Sequence, residues 1–244
     1  MALLPGGGYA DYVSVLKSHT TPLMYEGQSW EEAAAIPEVW CTAYQLLHLV
    51  AGVKQGETCL VHAAASGVGT TMLQLCKASG VEAIAVASTN DKLDFCQSLG
   101  ASHLVNYKET PEFSKAVKSF TNGRGVNVIQ DPVLASHFNE NLNCLAQDCR
   151  WVLYGSMGGI KVKDAMIIKL LMKRASLICS TLRNRSDSYK ADLIQKVYEE
   201  RNKFKSGELK PIIDKVLNLS EVTEAHKYIE SNQSIGKVIL KNDL

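Results

Sequence analysis

The amino-acid sequence predicts an α/β protein built on a doubly wound, mostly parallel sheet of six strands. Three observations carry this. From residue 58 onward, six short β-rich runs alternate with five stretches of helical periodicity. That alternation is the signature of parallel strands joined by helices that cover both faces of a sheet. The residue types that carry chemistry gather at the carboxyl ends of the runs, where such sheets bind ligands.

Taken in order, residues 58–64 read as the first strand and 67–79 as a helix with Val68, Met72, Leu75 and Cys76 on one stripe. "EAIAVAS" (82–88) is the second strand, and Thr89 or Asn90 caps a helix that ends at Gly100. "HLVNY" (103–107) is the third strand, followed by a helix over 112–121. "VNVIQD" (126–131) and a helix over 136–145 come next, then "RWVLYG" (150–155), a helix over 164–173, and "SLICST" (176–181) as the sixth strand. The chain ends break the pattern. Residues 1–37 open with "PGGGYADYVSV", an alternating strand entered from a glycine turn, and lead into the helix of "WEEAAAIPEVWCTAYQLLHLV". Beyond residue 183 the pattern gives a long helix over 188–205, a strand, a helix capped at Ser220, and a closing strand. These flanks read as parts of a second domain with too few strands to close it.

Composition narrows the function. With 26 Lys and Arg against 25 Asp and Glu, the net charge of +1 offers no electrostatic footprint for nucleic acid or an acidic membrane. The start of the chain has no basic segment followed by an apolar one, and no apolar run reaches the roughly 18 residues of a membrane span, so the expected compartment is the cytosol. The 7 cysteines are scattered without any CxxC, which predicts neither disulfides nor a metal site.

The glycine turn Ala64-Ala65-Ser66-Gly67-Val68-Gly69 lies between the first strand and its helix. Backbone N–H groups there can meet a pyrophosphate, Gly67 and Gly69 allow close approach, and Ser66 offers a hydroxyl. The second strand selects the cofactor. An acid at its end accepts from a ribose hydroxyl in NAD sites, whereas this chain has Ser88-Thr89-Asn90-Asp91-Lys92. Lys92 and Ser88 suit a 2′-phosphate, so NADPH is expected, and Tyr107 at the end of the third strand reaches the same pocket or the adenine face. The missing acid also disfavours an S-adenosylmethionine methyltransferase. Asp131-Pro132-Val133 and Gly155-Ser156-Met157-Gly158-Gly159 end the fourth and fifth strands, the latter leaving room for a flat ring with backbone groups for a carboxamide. The strand histidine His62 reads as a packed residue, and no catalytic acid is evident.

The stretches "LLPGGGYADYV", "AAAIPEVWCTAYQLL", "VHAAASGVGT", "CLAQDCRWVLYGSMGG" and "EAHKYIESNQSIGKVIL" together resemble the quinone oxidoreductases of the medium-chain dehydrogenase/reductase superfamily, nearest the p53-inducible branch. The resemblance implies a Rossmann domain (38–181) inserted into a GroES-like β-barrel that is incomplete here, with 1–37 and 182–244 supplying its parts. It implies NADPH as cofactor, a quinone or enone as substrate, and a homodimer paired through the last sheet strand. Ser66, Gly67, Val68 and Gly69 match the pyrophosphate turn, Lys92 and Tyr107 the 2′-phosphate and adenine side. Thr42, Gly155, Ser156 and Met157 match positions around the nicotinamide, and Ser180-Thr181-Leu182-Arg183 the segment closing over it. Glu38 stands where zinc-dependent relatives carry a metal cysteine, implying a zinc-independent protein. Two departures are visible: Leu134-Ala135 replace a usual pair of glycines, and Met1 falls well inside the family's catalytic domain. The second allows an alternative, a shortened isoform that binds NADPH or dimerises without turnover.

Overall fold

The computed structural model describes residues 1–163 and 165–242. Its helices are α1 (Trp30–Ala34), α2 (Pro37–Tyr44), α3 (Gly67–Ala78), α4 (Asn90–Ser98), α5 (Phe113–Phe120), α6 (Phe138–Cys144), α7 (Ile168–Met172), α8 (Asp187–Glu199), α9 (Arg201–Ser206) and α10 (Val222–Glu230). Its strands are β1 (Thr58–His62), β2 (Glu82–Ala87), β3 (His103–Asn106), β4 (Val126–Asp131), β5 (Leu145–Leu153), β6 (Ser176–Cys179), β7 (Ile213–Asn218) and β8 (Lys237–Lys241). Two compact units emerge, one of residues 45–65 and 72–180, the other of residues 1–44, 66–71 and 181–244.

The first unit holds the expected six-stranded parallel sheet in the order β3-β2-β1-β4-β5-β6. The chain order reverses between β1 and β4, which makes their carboxyl ends the topological switch point. Register explains the two faces. Leu60 pairs with Ile84 and Ile129, and Ile129 with Trp151, so these side chains share one face. They form a dry core with Phe113 and Val117 of α5 and Phe138 and Leu142 of α6. On the other face Ala83, Ala85 and Ala87 alternate along β2, fully or nearly fully buried. At β1 the pattern continues to His62, which puts an imidazole on the α5–α6 face at the end of a strand that is buried throughout.

The second unit contains a two-stranded parallel sheet of β7 and β8, with Val216 opposite Ile239, and no closed barrel among the described residues. Trp40 of α2 packs on Phe204 of α9 with ring centroids 4.5 Å apart. Ser29 caps α1 in a reciprocal box with Glu32.

Several elements differ from their sequence expectation. The strand expected in "GGGYADYVSV" does not form: no strand among the described residues runs beside it, and Tyr12 is 91% exposed. A lone alternating run has no hydrogen-bonding partner to hold it extended. The helix of residues 30–50 is interrupted at Ala35-Ile36, just before Pro37 opens α2, and finishes as a π-helical turn, Gln45–Val50. β5 begins at Leu145, earlier than expected, because Asp148 with φ 62° bends the strand without ending it. The helix expected over 164–173 begins at Asp164, outside the described residues, and is observed only as α7. The long helix over 188–205 is two helices that meet at Glu200, and Asn218 rather than Ser220 provides the capping box, with Glu221 as its partner.

Candidate cofactor site

The glycine turn lies at the head of a 12-residue helix. Ala63, with φ 48°, turns the chain out of β1, and the Gly69 N–H donates to Ser66 Oγ at 3.1 Å. Ser66 thereby caps the first turn of α3, whose N-terminal end is the arrangement that attracts an anion. The missing side chain at Gly67 lets Lys237 lie against the turn: a Cβ there would lie 2.7 Å from Lys237 Cδ and 3.1 Å from Val39 Cγ1. Ser66 also forms a parallel bridge with Gly236. Lys237 is thereby laid along the turn, where burial pushes its ammonium pKa down and the Glu38 carboxylate opposes that shift. Thr42, one helical turn beyond Glu38, donates its hydroxyl to Glu38 Oε1 at 3.2 Å. Helix amides, a serine hydroxyl and an ammonium make a donor set, and the missing side chain at Gly67 leaves a backbone cradle. That set fits a pyrophosphate. Lys237 escaped the sequence reading because it comes from the closing strand; its only signal was a lysine in the otherwise apolar run "GKVIL".

At the end of β2, Thr89 caps α4 by accepting from the Lys92 N–H at 3.4 Å. Ser88 and Lys92 are both buried, at 8% and 7% exposure, so Lys92 is not a solvated surface charge. The β3 end is tied to the same place: Asn106 Nδ2 donates to Asn90 Oδ1 at 3.0 Å, and Asn90 Nδ2 to Glu109 Oε1 at 3.2 Å. Tyr107, next in line, sets its ring 5.0 Å from that of His137, edge to face. The β3 end thus lies beside the β2 end, Tyr107 N–H donating to Ala87 O at 3.2 Å, and the Tyr107 ring rests on His137, which the sequence did not reveal.

Asp131 has a different place from the one expected. Its carboxylate is fully buried and saturated. Oδ1 accepts from the Val133 and Leu134 N–H groups at 2.7 and 3.0 Å, and Oδ2 from Asn141 Nδ2 and Trp151 Nε1, both at 3.0 Å. No lone pair is left for a ligand, so Asp131 shapes the loop after β4 instead of touching a cofactor. The network continues inward. Asn141 Oδ1 lies 2.7 Å from His62 Nε2, and His62 Nδ1 lies 3.1 Å from His137 Nδ1. Asn141 gives its N–H to Asp131 and its oxygen to His62, so His62 carries its proton on Nε2 and accepts from His137 through Nδ1. Both imidazoles are held neutral. Burial lowers the His62 pKa, and burial together with His62 brings His137 down to about 4.

The loop after β5 docks on this one. Met157 N–H donates to Pro132 O at 3.0 Å and Gly158 N–H to Val133 O at 2.8 Å. Those two amides are spent inside the protein, contrary to the expectation that the loop leaves its backbone open for a carboxamide. Gly155 is fixed by proximity, since a Cβ would sit 2.7 Å from Pro132 O. Ser156 and Met157 remain exposed, Met157 at 71%. Leu134 adopts φ 66°, a conformation glycine takes without strain, and stays only half-buried.

In the chain-end unit Leu182 and Arg183 line a cavity of about 420 Å³ together with Leu3, Leu16, His19 and Glu38. The remaining sequence candidate, Val68, lies half-buried in the first turn of α3. Six cysteines are buried and Cys179 is exposed; burial pushes the Cys96 and Cys149 thiols up to about 12. Among the described residues no group of three or more His, Cys, Asp or Glu side chains is placed to hold a metal ion, and no helix is long and apolar enough to cross a membrane.

Residues 67–198 match the zinc-binding dehydrogenase family. The human quinone oxidoreductase is 30% identical over 237 residues, covering 96% of this chain and 69% of that protein. A solved NAD-dependent alcohol dehydrogenase superposes with a TM-score of 0.86 at 31% identity, over 96% of this chain and 65% of its own. A mycobacterial protein solved in complex with NADPH gives a TM-score of 0.77 at 26% identity, over 88% of this chain and 66% of its own. The chain therefore spans about two thirds of the length of each.

Proposed function

This chain belongs to the medium-chain dehydrogenase/reductase superfamily, and from that premise we propose that it is an NADPH-dependent reductase of quinones or related electrophilic carbonyl compounds. The observation that carries the cofactor choice is the end of β2, where a buried serine and a buried lysine stand in place of an acid. When bound, the reduced nicotinamide supplies a hydride to the electrophilic centre of the substrate. The protein's part is to hold and orient. In this reading residues 38–181 form the cofactor domain, and residues 1–37 and 182–244 belong to the catalytic domain. Ser66, Gly67, Val68, Gly69 and Lys237 take the pyrophosphate, Ser88 and Lys92 the 2′-phosphate, and Tyr107 the adenine side. Thr42, Gly155, Ser156, Met157, Leu182 and Arg183 surround the nicotinamide, while Asp131 keeps the β4 loop in shape.

A fluorescence titration of the chain with NADPH and NADH, repeated on Lys92→Ala, tests this. We expect NADPH to bind more tightly, and Lys92→Ala to remove about 1.5–3 kcal/mol of that advantage while leaving NADH unchanged. Equal loss for both cofactors, or binding of neither, refutes the assignment. The proposed homodimer rests on β6, which among the described residues pairs only with β5 and leaves Leu177 37% exposed. Sedimentation at micromolar concentration decides it, a monodisperse monomer being the contrary result.

A further inference from the structure

The cavity beside Leu182 and Arg183 is two-faced. Leu3, Leu4, Val15, Leu16 and Leu182 give it an apolar wall, and Arg183 and Lys190 bring two cations to its lining. Neither cation has a hydrogen-bonding or ionic partner for its side chain among the described residues. Of the acids on the same lining, Glu38 accepts from Thr42 at 3.2 Å, while the Asp187 carboxylate is exposed and 3.9 Å from His19 Nε2. His19 itself is buried and spends that nitrogen on the Asp187 carbonyl at 3.1 Å. A volume of about 420 Å³ admits a small molecule and little more.

An uncharged quinone gives two unpaired cations nothing to answer. We propose that this cavity selects substrates with a short apolar body and a carboxylate, the carboxylate meeting Arg183 and Lys190; this rests on the reductase reading above and names its substrate class. Charge-assisted hydrogen bonds to guanidinium and ammonium discriminate between an acid and its ester more strongly than apolar contact does, because the apolar body is common to both. Asp187, at the start of α8 on the same lining, works against the anion, so its removal tightens binding.

The test is calorimetric binding of 4-oxopent-2-enoate and of its methyl ester to the 244-residue chain, with and without NADP⁺. NADP⁺ keeps the complex from turning over, and its own affinity is recorded separately. We expect the acid to bind about tenfold more tightly than the ester at low salt, the preference to shrink as salt is raised, Lys190→Gln to abolish most of it, and Asp187→Asn to increase it. NADP⁺ affinity is unchanged in Lys190→Gln. An ester that binds as well as the acid, or an Asp187→Asn variant that weakens the acid, overturns the proposal whether or not NADP⁺ binds. Failure of NADP⁺ to bind overturns the cofactor assignment instead.

Discussion

Replacing Asp131 by Asn changes one atom of the side chain and removes its charge, yet the geometry makes it a severe substitution. The carboxylate receives four donors, two on each oxygen. An asparagine has one acceptor oxygen, so its NH₂ must face two donors on one side. If it faces the loop, the Val133 and Leu134 amides lose their acceptor. If it faces the core, Asn141 and Trp151 lose theirs. The second arrangement has a partial remedy. Asn141 flips to offer its oxygen, His62 shifts its proton from Nε2 to Nδ1, and His137 becomes the acceptor. The Trp151 indole N–H has no such recourse, since the side chain is fully buried. Each bond to a charged acceptor contributes about 1.5–3 kcal/mol, and an orphaned buried donor costs about 1–3 kcal/mol. Removing the buried charge itself returns part of this, which leaves a net loss of about 3 kcal/mol.

For a chain of this size that loss lowers the melting temperature of the sheet unit by roughly 6–12 °C. Thermal melts followed by near-ultraviolet circular dichroism report it, and urea unfolding gives the free energy directly. The double variant Asp131→Asn/Trp151→Phe removes the stranded indole N–H, so it should be less destabilised than the sum of the two single changes. An Asn variant that melts within about 2 °C of the parent, or a strictly additive double variant, shows that the four-donor carboxylate does not hold the β4 loop.

Acid should weaken the same unit. His137 binds its proton only near pH 4, while the unfolded chain binds it near 6.5, so stability is complete above 6.5 and falls between 6.5 and 4. The slope is up to about 1.4 kcal/mol per pH unit, His62 adds to it in the same direction, and His137→Gln should flatten it; a pH-independent urea midpoint over that window contradicts the burial of both imidazoles. Gly67→Ala should leave the melting temperature nearly unchanged, because a helix gains from alanine what Val39 and the mobile Lys237 chain yield in space, but weaken NADPH by about tenfold as Lys237 is displaced. Unaltered NADPH affinity in both Gly67→Ala and Lys237→Ala would remove Lys237 from the site. In the folded monomer a thiol reagent should modify Cys179 quickly and the other 6 cysteines only on unfolding, whereas a homodimer paired through β6 should slow Cys179, as mass mapping of the labelled peptides will show.

The sheet was legible because its inner strands β1, β2 and β4 are buried on both faces and appear as bounded apolar runs, and the first four strand starts fall where the runs begin. Two of the misreadings share one physical origin. β5 was shortened because Gln147 and Asp148 interrupt the apolar run ahead of Arg150, where the strand was expected to start; Arg150 pairs with Glu57 at 2.6 Å, and Asp148 sits on a positive-φ bend where it meets Arg174 at 2.8 Å. The "GGGYADYVSV" run has the alternation of a strand and lacks its partner. In each case the deciding interaction is with residues far along the chain. The capping error at Ser220 is different, because "NLSE" contains the Asn218–Glu221 box in plain view, and the serine two residues further on distracted from it.

The same division runs through the site. A phosphate turn is local: strand, small residues and helix head lie within a dozen positions, so Ser66, Gly67 and Gly69 could be read directly, as could the acid missing after β2. What those residues bind against is not local. Lys237 reaches Gly67 from the closing strand, and His137 reaches Tyr107 from the loop beyond β4. Asp131 shows why a residue type at the right position is insufficient evidence of contact. An acid at a strand end either accepts from a ligand or accepts from its own loop, and its supply of lone pairs decides between them. Here Val133, Leu134, Asn141 and Trp151 exhaust that supply, so the carboxylate sets the shape of the site from behind. The strained Leu134 then follows: its N–H is captured by Asp131 at 3.0 Å, and the backbone holds φ 66° where glycine would take it without strain. Leu134→Gly should therefore relieve strain at the cost of a more mobile loop, raising or preserving stability while loosening cofactor binding. A variant that loses stability by more than 1–2 kcal/mol in urea would show instead that the Leu134 side chain, packed against the core beside Phe138, outweighs the backbone it distorts.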